Sequence, residues 1–235
     1  MSEDIDVLVH KANDLKDQSR KPRDCGELEG AAALLEQAIQ ILEPPFKAIF
    51  PDLLPVDPLR VSSEEKTLAD SLADCYGSLG GIRRRQKRYQ DSFALYSSGR
   101  AIEQAAGFEI SKYYNQVQWL VLRILLAPEK LETDENLIAE ITRAKQLLRR
   151  RASPSNPWAY SDLGLLFALT GDDFEADDTW KRMQASKPVL SVYTSALPVL
   201  HDLKEALPDN EAIAEAVERF EQYKLEVEAK SPASP

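Results

Sequence analysis

Between Asn156 and Pro188 the chain sets Tyr160, Leu163, Gly164, Phe167, Gly171, Ala176 and Trp180 in an order that few folds accommodate. Asn156 suits a helix N-cap, and Pro157 suits the first helical position, where its missing N–H costs nothing. Gly171 supplies a turn, and Pro188 stops whatever helix precedes it. Two short helices joined this way must cross closely. Gly164 and Ala176 are small enough to let the backbones approach, while Tyr160, Phe167 and Trp180 fill the space around the crossing, each ring burying ~150–250 Å². Such a pair cannot bury its apolar face alone and needs neighbours.

The spacing of aromatic, Leu-Gly, aromatic, Ala, aromatic and Pro resembles the signature of the tetratricopeptide repeat. The register recurs at Tyr76, Leu79, Gly80, Ser92 and Tyr96, where the Gly80-to-Ser92 interval equals the Gly164-to-Ala176 interval and Arg83 replaces the second aromatic. The resemblance implies an all-α, right-handed solenoid of antiparallel helix pairs, about ten helices in five pairs. Residues 62–106 and 156–188 are its best-matching repeats. A second stretch, 89–126, runs into GFEISKYYNQVQWLVLRILL and is similar to the helical region of stress-kinase regulatory domains of the TRAF-binding type and their bacterial relatives.

Composition agrees with a helical chain. Nine glycines in 235 residues and almost no Val/Ile/Thr alternation leave little room for strands. A net charge of -10 disfavours nucleic acid and anionic membrane as partners. Cys25 and Cys75 lack metal-ligand spacing and read as reduced thiols. The acidic start, MSEDIDVLVHK, has no apolar core for a signal peptide, and no stretch reaches the ~20 apolar residues of a membrane span, so a cytoplasmic location is expected.

Residues 1–230 read as one helical domain and 231–235 as a disordered tail. Lys21-Pro22-Arg23 is expected to end the first helix, and Pro44-Pro45 the second. Residues 44–61, with five prolines but also Phe46, Ile49, Phe50, Leu53 and Leu54, read as a packed excursion. Ser62-Ser63-Glu64-Glu65 is a capping box that starts a helix near residue 63. Residues 111–126 and 135–151 form another pair. Pro198 is expected to kink or break helix 190–206, and the acidic outer face of 209–229 suits a solenoid's end cap.

No catalytic constellation emerges around His10 or His201, and phosphate loops and metal motifs are missing, so neither an enzyme nor a cofactor is expected. Two basic clusters stand out, Arg83–Arg88 and Arg143–Arg151. Both lie in last helical turns, where the dipole favours cations. The repeat register faces Gly77, Gly81, Arg84 and Arg85 toward the concave groove, with both arginines exposed to fix acidic groups. Asn115, Gln116, Gln118, Trp119 and Arg123 share one side of helix 111–126, where amides can hold a peptide backbone. Leu165 and Leu169 supply apolar contact. The expected function is a scaffold or adaptor that captures a protein, a peptide or a partner helix, acidic groups included, in this groove. The alternative is a regulatory subunit of a signalling or defence system that senses a phosphorylated or nucleotide ligand through the Arg clusters.

Overall fold

The computed structural model describes residues 4–53, 57–110 and 112–230. These form ten α-helices: α1 (Ile5–Asp24), α2 (Leu28–Ile49), α3 (Ser63–Arg85), α4 (Tyr89–Gln104), α5 (Tyr114–Leu126), α6 (Glu135–Arg151), α7 (Pro157–Ala168), α8 (Asp173–Ala185), α9 (Leu190–Ala206) and α10 (Glu211–Lys230). Short 3-10 turns lie at Pro58–Arg60, Ala106–Phe108 and Pro128–Lys130. The described residues contain no strand beyond an isolated Ser153–Asn156 bridge. Where the sequence reads as one domain, the contacts gather into two units, the first ending at Leu122 and the second beginning at Arg123.

In the first unit α1 packs on α2, α2 on α3, and α3 on α4. Leu35, Leu42, Leu68, Leu72 and Ile82 form its interior, and Phe46, Phe50 and Phe108 close one side as a trio of rings 4.8–5.7 Å apart. In the second unit α6 packs on α7, α7 on α8, and α9 on α10. Here Trp180 and Tyr193 both meet Phe220 edge-on.

The sequence-read helix starts hold. Ser62 Oγ accepts from the Glu65 amide at 3.2 Å, and Glu65 accepts from the Ser62 amide at 2.8 Å, closing the capping box. Asn156 caps α7 by accepting from the Ala159 amide.

The proline-based stops do not hold. α1 runs through Pro22, α2 through Pro44 and Pro45, and α9 without a break through Pro198. Each interior proline frees the carbonyl four residues earlier. Those of Pro22, Pro44 and Pro198 belong to Gln18, Gln40 and Thr194, all exposed, so water can take the lost donor's place. Beyond Pro45, burial of Phe46 in the aromatic trio holds the final turn of α2. The 44–61 excursion is packed only in part: Phe46 and Val61 are buried, but Leu59 is 95% exposed, and Leu54 lies outside the described residues, as does the 231–235 tail.

Candidate functional site

The Arg83–Arg88 cluster ends α3, and its members do different jobs. Arg83 is buried and pairs with Glu36 and Glu29, while its Nη1 donates to Gln86 at 2.8 Å. It ties α3 to α2. Arg84 is only 3% exposed and hydrogen-bonds the buried Tyr96 hydroxyl, which corrects the expectation that both groove arginines face solvent. The Tyr96 ring covers Gly80, and its hydroxyl lies 3.3 Å from that of Tyr114, so the C-terminal end of α3 is roofed by α4 and α5. Arg88 is exposed and pairs with Asp91 at 2.6 Å.

Arg85 is half-buried. Loss of water around it lowers its pKa, repulsion from Arg23 of α1 and from Arg84 lowers it further, and Tyr114 and Asp24 pull it partly back. Three guanidinium groups therefore converge here. No hydrogen bond or ion pair joins Arg85 to another described residue.

The α5 residues are also less available than the helical wheel suggests. Asn115 is 1% exposed and wedges into the space left by Gly77 and Gly99: a Cβ on Gly99 would lie 2.4 Å from its Cγ. Its Nδ2 donates to the Ala73 carbonyl at 3.0 Å and to Glu103 at 2.8 Å. Glu103 also accepts from the Asn115 and Gln116 amides and so caps α5 from α4, while burial pushes its carboxyl up. Gln118 is 5% exposed. Neither amide can hold an outside peptide in this arrangement. Trp119 stacks on Phe93, with the Arg100 guanidinium 3.9 Å above its ring. Arg123 pairs with Asp134, the N-cap of α6.

In the second unit Leu165 and Leu169 are buried at 5% and 2% exposure, so the apolar patch is core rather than groove. The repeat register misplaces Arg84 and Asn115 because it assigns exposure from one helix, whereas their partners lie on other helices: Tyr96 of α4 meets Arg84, and α3 and α4 enclose Asn115.

A pocket of about 300 Å³ opens instead among α6, α7 and α8. One α6 stripe, Thr142, Lys145, Gln146 and Arg149, forms a wall, and Phe167, Asp172 and Glu175 complete the lining. The i, i+3, i+4, i+7 spacing of that stripe is visible in the sequence. The sequence marks the Arg143–Arg151 cluster as basic, but not that Lys145 and Arg149 of it lie over the Phe167 ring. Lys145 and Arg149 each sit 5.0 Å from the Phe167 ring centre. Lys145 Nζ donates to Thr170 at 2.8 Å and to Asp172 at 2.7 Å, and this holds the Asp172 carboxyl below its usual value.

Among the described residues no group of three or more His, Cys, Asp or Glu side chains could hold a metal ion, and no helix is long and apolar enough to cross a membrane. His10 and His201 are half-exposed or more, beside Asp14 and Glu221. Cys75 is buried, which pushes its thiol up to about 12. No protein-family model matches the chain, and no curated protein is significantly similar to it.

Proposed function

We propose that the chain is a non-enzymatic adaptor of tetratricopeptide-like helix pairs that captures an acidic segment of a partner protein at Arg85. The observation that carries this reading is the guanidinium of Arg85, half-buried, pressed by Arg23 and Arg84, and joined to no acidic residue by an ion pair among the described residues, with only the weaker pull of Tyr114 and Asp24 opposing that repulsion. A carboxylate arriving there would offset two costs at once, the lost hydration of Arg85 and its repulsion by two like charges. Arginine suits that role because its planar fork takes a carboxylate through two parallel bonds. The 43%-exposed Tyr114 flanks the site and offers a ring edge to the same segment. The contact set is therefore narrower than the sequence suggests, with Asn115 and Gln118 buried elsewhere, Arg84 beneath the site and Arg85 and Arg23 presenting it.

The packing of helices in adjacent pairs supports the adaptor reading, because helix pairs of this kind commonly present their faces to partner proteins. A fluorescently labelled Glu-rich peptide, titrated with the full chain and read by anisotropy, tests it. Binding should weaken with added salt and fall by about tenfold or more, ~1.4 kcal/mol or more, in Arg85→Glu. Arg143→Glu, at an exposed arginine of α6, should leave it unchanged. Equal loss from both variants, or no binding at low salt, would remove Arg85 as the site.

A further inference from the structure

The pocket among α6, α7 and α8 has a charge arrangement that selects its occupant. Four of its lining residues carry formal charges, Lys145 and Arg149 against Asp172 and Glu175. The formal charges cancel, so a dianion or a dication would meet as much repulsion as attraction. Two of the four are already matched, since Lys145 is bound to Asp172 and Thr170. Arg149 attracts the Asp172 carboxyl from a distance, but neither Arg149 nor Glu175 makes an ion pair or hydrogen bond to another described residue. One is on α6 and the other on the first turn of α8, so the pocket offers a cation on one wall and a carboxylate on another.

We infer that this pocket binds a small zwitterion of the α-amino-acid class, its carboxylate on Arg149 and its ammonium on Glu175. The volume of about 300 Å³ sits at the small end of ligand sites, which begin at roughly that size. Stacking on Phe167 holds the Arg149 guanidinium against a buried ring, so little side-chain freedom is lost when its N–H groups take a carboxylate. Lys145 is fixed over the same ring and adds positive potential on the carboxylate side without being free to leave Asp172. Thr142 and Gln146, on the same α6 stripe, supply a hydroxyl and an amide for the rest of the ligand. This site is independent of the acidic-peptide reading, uses other residues and asks for a different ligand charge.

Calorimetric titration of the full chain with each standard L-amino acid at millimolar concentration tests the inference. At least one should bind. Its N-acetyl form, which lacks the ammonium, and its amide, which lacks the carboxylate, should each bind at least about tenfold more weakly. Arg149→Gln and Glu175→Gln should each reduce binding of the free amino acid by a similar factor, while Arg85→Glu leaves it unchanged. Both residues are exposed, so these variants should keep the fold, which the helical circular dichroism signal checks. The inference is overturned if no amino acid binds, if the blocked forms bind as well as the free one, or if neither variant weakens binding.

Discussion

The pairs α3–α4 and α7–α8 solve one packing problem with different side chains. Gly80 lies under the Tyr96 ring, as Gly164 lies under the Trp180 ring. Their turns share two closing bonds. The Arg88 amide donates to the Arg83 carbonyl and the Lys87 amide to that of Arg84, as Asp172 does to Phe167 and Gly171 to Ala168. Both are Schellman closures with a left-handed residue at the turn, Lys87 at φ 59 and Gly171 at φ 72. The pairs differ in how they meet the preceding helix. At the second aromatic position α3 carries Arg83, which pairs with Glu29 and Glu36 of α2. α7 carries Phe167, over which α6 lays Lys145 and Arg149. The cation has changed sides of the same kind of junction. In the first pair the charge is used in ion pairs, and in the second Arg149 lies over a ring beside a pocket, joined to no carboxylate by an ion pair. Backbone spacing thus fixes the crossing, while a single side chain decides on which side of the junction the cation stands.

The largest expected contrast is in pH response. Asp162 of α7 stands at the register place of Ser78 in α3, and both are half-buried. Burial pushes the Asp162 carboxyl up to about 7. The folded chain then keeps a proton that the unfolded chain has already released. Stability is lost as pH rises from about 4 to about 7 and levels off above that. The loss is at most a few kcal/mol, since each tenfold change in proton affinity is worth ~1.4 kcal/mol. Carboxyls such as Asp172 and Asp177, held low by Lys145 and Lys181, act with the opposite sign and below pH 4. Asp162→Ser should therefore shrink the difference between urea midpoints at pH 5 and pH 7.5, leaving the part that Glu103, also pushed up by burial, contributes with the same sign. An unchanged difference would mean that the carboxyl is solvated and that the two helices do not differ here.

Gly164→Ala comes next. Its Cβ would lie 2.3 Å from Nε1 of Trp180, which is 3% exposed and donates to the Ser161 carbonyl. The ring cannot move without losing that bond, so overpacking should cost ~1–3 kcal/mol. Gly80→Ala would meet Tyr96 only at 3.0 Å and should cost less. Equal drops in melting temperature would break the ranking, and no drop at Gly164 would break the shared crossing itself.

Ser92 sharpens the comparison further. Its Oγ donates to the Gly80 carbonyl at 2.8 Å in a fully buried setting, at the place where the other pair has Ala176. Ser92→Ala should cost ~0.5–1.5 kcal/mol, the ordinary net value of such a bond. A neutral result would show that the smaller side chain, and not the hydrogen bond, is what the crossing requires.

These contrasts show what the residue order reveals. The Gly-to-small and Gly-to-aromatic intervals depend only on local helix geometry, so both crossings, the capping box at Ser62 and the helical class are readable from the chain. Proline stops are less readable, because the cost at Pro44 or Pro198 depends on whether Gln40 or Thr194 faces water, which tertiary packing sets. Exposure is hardest. Arg84 and Asn115 are polar residues whose partners, Tyr96 and the Ala73 carbonyl, come from other helices, and nothing local marks them as buried. The stripe of Thr142, Lys145, Gln146 and Arg149 was readable as a face, but the ring beneath it belongs to α7.

The smallest expected effect lies in the turns. Lys87 occupies the left-handed region where a Cβ crowds the backbone, whereas its counterpart Gly171 bears no such strain. Lys87→Gly should relieve that strain, at the cost of a more flexible unfolded chain and of the 5.7 Å contact between Lys87 and the Tyr89 ring. The relief is ~1–2 kcal/mol, and the two losses together offset about half of it, leaving a gain of ~0.5–1 kcal/mol. Gly171→Ala should lose a comparable amount, since space is open around it and only backbone conformation opposes the methyl. Chemical denaturation of both variants reads the pair. Opposite signs would confirm that the two turns share one conformation. A loss from Lys87→Gly would show that the lysine's ring contact outweighs its strain, and the equivalence of the two turns would then end at the backbone.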